Sequence, residues 1–137
     1  MTVLYKMILL MLAIIENYMK EIENSIGNFL VERVKKGIDN APIFYNDLCT
    51  KFTLPSVDGI WYQHPLCEIF EALDQEDASL NRPFRTALVI GKESNMPGKG
   101  FYEARSRMLN KSIPQSEKQK FDIFIKEINQ LHDHYKQ

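Results

Sequence analysis

The sequence predicts a mainly α domain with a small β element. Three observations carry that reading. Residues 4–36 and 113–137 place apolar side chains three and four apart, the spacing of one helix face. "RTALVIG", residues 85–91, is a short, apolar, β-branched run of strand type. The segments between them are short and punctuated by Pro42, Pro55, Gly59 and Pro97-Gly98. With 137 residues, 45% apolar and 26% charged, the chain is sized for one domain around a single core.

Taken in order, the first helix runs from about Leu4 to Lys36. Tyr18, Ile22, Ile26, Phe29, Leu30 and Val34 form its stripe, Gly27 marks a bend or a close approach, and Gly37 is the stop. Ile43 and Phe44 make a very short strand. Asn46 is placed to cap a short helix, "DLCTKF", with Leu48, Cys49 and Phe52 inward. A loop through Pro55 and Gly59 leads to a helix beginning at His64-Pro65, with Pro65 in the tolerated first turn. Its apolar face is Leu66, Ile69, Phe70 and Leu73. Glu68, Glu71, Asp74 and Gln75, with Glu76 and Asp77 beyond them, read as a solvated face. A six-residue strand, a turn, the helix "FYEARSRMLN" and a final amphipathic helix follow. Phe121, Phe124, Ile125, Ile128 and Leu131 form the last stripe. This order outlines a winged-helix-like core, residues 39–111, between a long N-terminal helix (1–38) and a C-terminal helix (112–137). "KGFYE" would have to supply the second strand of the wing.

Net charge is −1, so the whole molecule is not built to bind polyanions. The charges are nevertheless segregated. Residues 39–81 hold eight acids and one lysine, whereas 82–111 hold seven bases and two acids. Cys49 and Cys67 make no disulfide framework and no CxxC; both read as free thiols of a reducing, cytoplasmic protein. The run "VLYKMILLMLAII", residues 3–15, is shorter than the roughly 20 residues a spanning helix needs. It reads as an apolar helix start that packs on the core or on a partner, not as a membrane segment.

"KESNMPGKGFYE", residues 92–103, is not a nucleotide-binding P-loop. Gly91 stands too far before Gly98-Lys99, and Gly100 occupies the place of the metal-binding Ser or Thr. A Pro97-Gly98 type II turn accounts for its backbone, with an anion nest at Gly98 to Phe101 as the alternative. His64 and Cys67 do not complete a zinc site, and His132 and His134 face different sides of a helix. The residues form no recognisable catalytic constellation, and the sequence calls for no cofactor and no metal.

Tyr45, Leu48, His64, Pro65 and Leu66, then Arg82, Pro83, Leu88, Val89, Lys92, Glu93, Met96, Pro97, Gly98, Gly100 and Phe101, follow a pattern ending in "RPxxxALVxxKExxMPGxGF". In these positions the chain resembles a family of small bacterial and phage proteins of no assigned activity. More distantly, the chain also resembles the winged-helix domain of DNA alkyltransferases and alkyltransferase-like proteins. The strand "TALVIGK" holds neither Cys nor His, so alkyl transfer has no nucleophile here. The resemblance implies a winged-helix scaffold that binds DNA without chemistry.

Two functions therefore stand as expectations. One is a small, non-enzymatic nucleic-acid-binding protein that contacts DNA or RNA through Arg85, Lys92, Lys99, Arg105 and Arg107. The other is a protein-interaction adaptor or inhibitor, or a homodimer, working through the apolar N-terminal helix.

Overall fold

The computed structural model describes residues 2–136. It is mainly helical. The helices are α1 (Val3–Lys35), α2 (Tyr45–Lys51), α3 (Pro65–Ser79), α4 (Lys99–Leu109) and α5 (Glu117–Tyr135), and the strands are β1 (Ile43–Phe44) and β2 (Val89–Ile90). Two 3-10 turns, Trp61–Gln63 and Arg85–Leu88, precede α3 and β2. The mainly α architecture with a small β element is therefore the one expected.

Helix α1 is a rod of 33 residues, about 50 Å long at 1.5 Å per residue. The Thr2 hydroxyl caps it by accepting from the Tyr5 amide. Gly37, at φ +128°, turns the chain away at its end. Only its C-terminal half is in the core: Ile26, Leu30 and Val34 are fully buried, and Tyr18 at the head of the expected stripe is exposed. This half packs on α3, on α5 and on the Arg85–Leu88 turn. Arg33 locks the exit, donating to the carbonyls of Asn40, Ala41 and Pro42 at 2.8, 2.8 and 2.9 Å.

Strands β1 and β2 pair in parallel, Ile43 opposite Val89 and Phe44 opposite Ile90. Parallel neighbours need a crossover, and α2 and α3 provide it. The expected second wing strand is not formed, because Lys99 to Glu103 is the first turn of α4. The six-residue strand is also shorter than expected. The amides that would enter a ladder are taken by carboxylates: Phe84 N–H donates to Glu127 at 3.0 Å and Arg85 N–H to Asp77 at 2.9 Å. The backbone is thereby drawn into a 3-10 turn, and only Val89 and Ile90 remain extended.

Three smaller expectations are corrected. Helix α2 starts at Tyr45, and Asn46 does not cap it; its Oδ1 accepts from Val57 N–H at 2.7 Å and pins the following loop. Pro97-Gly98 is not a type II turn. Gly98 has φ −73° and is the N-cap of α4, while Asn95 takes the left-handed position at φ +55°. Of the α5 stripe, Phe124, Ile128 and Leu131 are buried, whereas Phe121 and Ile125 are exposed. The helix rolls so that Glu127 can face inward to Phe84.

The largest correction concerns the acids of α3. Asp77 is 0% exposed and Asp74 is 3% exposed. Asp77 Oδ1 accepts from Arg82 Nε at 2.6 Å and Arg85 Nε at 3.0 Å. The Arg85 guanidinium then lies against α1 at Gly27, where any Cβ would overlap its terminal nitrogen. Gly27 is thus a close approach and not a bend. Replacing Asp77 by Ala strands a buried guanidinium, and about 3–5 kcal/mol of unfolding free energy is expected to be lost in urea titrations. The double variant Asp77→Leu, Arg85→Met should recover a large part of that loss.

Candidate functional site

Between α3, α4 and the Trp61–Gln63 turn lies a cleft of about 530 Å³. That volume suits a small-molecule ligand. Its apolar walls are Val57, Trp61, Phe70, Phe101 and Ala104. The Tyr45, Trp61 and Phe70 rings meet at centroid distances of 5.7–6.1 Å and fix one wall. His64 holds that wall in place. Its Nδ1 caps α3 by accepting from Leu66 N–H at 3.0 Å, so its Nε2 carries the proton and donates to the Pro55 carbonyl at 2.6 Å. Its ring stacks parallel to Trp61.

The floor is polar. The Thr86 hydroxyl donates to Asp74 Oδ1 at 2.6 Å. The other oxygen, Oδ2, takes no hydrogen bond from the described residues, and Asp74 lines the cleft. Burial pushes the Asp74 carboxyl up to about 8, with Asp77 and Glu71 adding to the rise and Thr86 and Arg85 opposing it. At neutral pH Asp74 is therefore a neutral acid that can donate a hydrogen bond. The Tyr45 oxygen accepts from Gly98 N–H at 3.0 Å, and burial pushes its phenol up as well. A Cβ on Gly98 would stand 2.9 Å from that oxygen, so glycine permits the contact.

The rim is built from ion pairs. Arg107 donates to both oxygens of Glu71 at 2.9 Å, and this hydrogen bond holds Glu71 below the usual carboxylate range. Lys99 lies 3.4 Å from Glu103.

The five expected nucleic-acid contacts do not form one surface. Arg85 is 5% exposed and bound to Asp77, so no phosphate can reach it. Lys99 and Arg107 share one face of α4, but each is matched to an acid. Lys92 is exposed in the preceding loop. Arg105 is on another face of α4. It lines a second cleft of about 520 Å³ with Arg82, Lys111, Lys126 and His134. Among the described residues no carboxylate lies within ion-pair distance of Arg105, Lys111 or Lys126.

Cys49, not Cys67, lies near His64, with Sγ 3.9 Å from Nε2. This is not an activated nucleophile: burial pushes the thiol up, and the imidazole proton is committed to Pro55. The cleft residues Tyr45, Trp61, Asp74 and Thr86 were not singled out as a site from the sequence. A signal did exist for Asp74. It lies four residues after Phe70, on the apolar stripe of α3, where a charged side chain must find a buried role. Compared with protein-family models, curated proteins and solved structures, the chain has no significant match.

Asp74 makes stability depend on pH in a defined direction. Below the unfolded-state value of about 4 its contribution is complete. As pH rises the unfolded chain ionises while the folded chain keeps its proton, so stability is lost until about pH 8 and then levels off. Asp74→Asn removes this dependence. The variant should gain on the wild type by roughly 1.4 kcal/mol per pH unit across that window, read from urea midpoints between pH 4 and 9.

Proposed function

We propose that this chain is a non-enzymatic protein-interaction module that assembles through the N-terminal half of α1, with second copies of the same helix as its first partner. One observation carries the reading. From Val3 to Ile15 the large apolar side chains are 45–74% exposed, and they lie all round the helix. Lys6 is the single charge in that stretch. A helix that is apolar on every side belongs in an interior, and one neighbouring helix covers only one side. Among the described residues no helix is long and apolar enough to cross a membrane. Several copies packed around their own α1 segments satisfy both facts. The remainder of α1 anchors each rod in its own core, so assembly leaves the domain unchanged.

The test is sedimentation of the full chain against Ile8→Glu, Leu12→Glu. These positions lie one turn apart and outside the core. The wild type is expected to form oligomers that strengthen with concentration, and the variant a monomer with an unchanged thermal midpoint. A wild-type chain that stays monomeric at every concentration overturns self-assembly.

Nucleic-acid binding is the second reading, favoured by the cations around the cleft between α4 and α5. It places the phosphate contacts on Arg105, Lys111 and Lys126, not on the loop before α4. Fluorescence anisotropy on duplex and single-stranded DNA and RNA across salt concentrations decides it. Arg105→Glu should then cost about tenfold or more in affinity and flatten the salt dependence. Absence of binding at low salt removes this reading.

A further inference from the structure

We propose that the cleft between α3 and α4 binds a small organic carboxylate with an apolar body the size of one aromatic ring and its chain. The argument rests on the polarity of the groups that converge there. The Tyr45 hydroxyl has already accepted from Gly98 N–H, which leaves its own proton to donate. The Trp61 indole can only donate, and its nitrogen would stand 3.8 Å from a Cβ at Gly100. Gly98 and Lys99 begin α4, whose N-terminus carries partial positive charge and no side-chain cap. Asp74 presents its unbonded oxygen from the floor. The first three are donors or a positive pole, and Asp74 is a donor while it holds its proton; the acceptors that also line the cleft, Glu71 and Glu103, are matched to Arg107 and Lys99. A ligand that satisfies them brings acceptor oxygens. Its remaining surface must match Val57, Phe70 and Phe101, which are apolar.

A carboxylate is favoured over a neutral carbonyl because the helix end prefers an anion and because a neutral acid donates strongly to a carboxylate oxygen. A cation is disfavoured at the same place, since the positive end of α4, at Gly98 to Gly100, lines the cleft there. The protonated state of Asp74 supports the assignment and gives it a signature. The charged and titratable groups around Asp74 and its cleft are Asp77, Glu71 and Cys67 on its own helix, Arg85 on the 3-10 turn, Tyr45 on α2, and Arg107, Lys99 and Glu103 on α4. Burial, with Asp77 and Glu71 adding to it against Thr86 and Arg85, keeps the proton on Asp74 to about pH 8. Above that value an ionised Asp74 repels an anionic ligand.

Trp61 is the chain's single tryptophan and lines the cleft, so its emission reports occupancy. The full chain would be titrated with 4-phenylbutyrate, 4-phenylbutan-1-ol and 4-phenylbutylamine at pH 6, 7, 8 and 9. The carboxylate is expected to saturate the Trp61 signal with at least about tenfold higher affinity than the amine, and to weaken by up to tenfold per pH unit above about 8. Asp74→Ala should lose about tenfold at pH 6. Asp74→Asn, which keeps a donor at every pH, should rescue that loss and no longer weaken above pH 8. Gly100→Leu fills the cleft and should abolish the response while circular dichroism shows the helices intact. Four results each overturn the proposal. They are no saturable carboxylate response at millimolar concentration, a preference for the amine, an unaltered pH profile in Asp74→Asn, and binding that survives Gly100→Leu.

Discussion

A single buried carboxylate, that of Asp77, decides where the pieces of this fold meet. It lies on α3 and takes the backbone and side chain of Arg85 and the side chain of Arg82. Arg85 in turn spans to α1, while the neighbouring Phe84 amide is held by Glu127 from α5. Three helices and the 83–88 segment are therefore joined through one cluster of ions and amides. Burying these charges is costly compared with packing apolar groups of the same volume, so the cluster is a poor source of stability. Its effect here is on register. Apolar side chains tolerate sliding; a carboxylate that must meet two guanidinium groups and an amide does not.

The cleft depends on this cluster. Because Asp77 pulls residues 85–88 into a 3-10 turn, Thr86 comes to lie under Asp74, one turn earlier on the same helix. Two acids three residues apart thus have different surroundings. Asp77 faces guanidinium groups, whereas Asp74 faces a hydroxyl and an apolar space. The distinction is set by which neighbours the turn supplies and not by the acids themselves. The site and the scaffold are in this sense the same construction, viewed from the two sides of α3.

The helices were legible in the sequence because their apolar spacing is a local property. The boundaries of α1 and α3 follow from Gly37 and from His64-Pro65, and the structure places them there. What was not legible depends on partners distant in the chain. "RTALVIG" has strand composition, but the amides of Arg85 and of Phe84 just before it go to carboxylates from α3 and α5. Asn46 has the chemistry of a cap, but Val57 takes its oxygen. The basic residues of 82–111 are contiguous in sequence, yet α4 divides them between two clefts and Arg85 is drawn inside. Segregation along a chain becomes segregation on a surface only when the elements that carry it face one way. The acids of α3 were misplaced for a related reason: their position on the apolar stripe carried more information than their charge.

The contact between Gly27 and Arg85 has a consequence for how this sequence can vary. The two positions lie in separate helical segments, yet they share one small volume, and position 77 sets the charge that fills it. A lineage that acquires a side chain at 27 must shorten residue 85, and then nothing requires an acid at 77. Substitutions at the three sites are expected to travel together among descendants, with Gly-Asp-Arg as one self-consistent set and an all-apolar trio as another. Intermediates between the two sets would be the least tolerated, so the cluster acts as a barrier to gradual change in a core whose apolar positions remain free to drift.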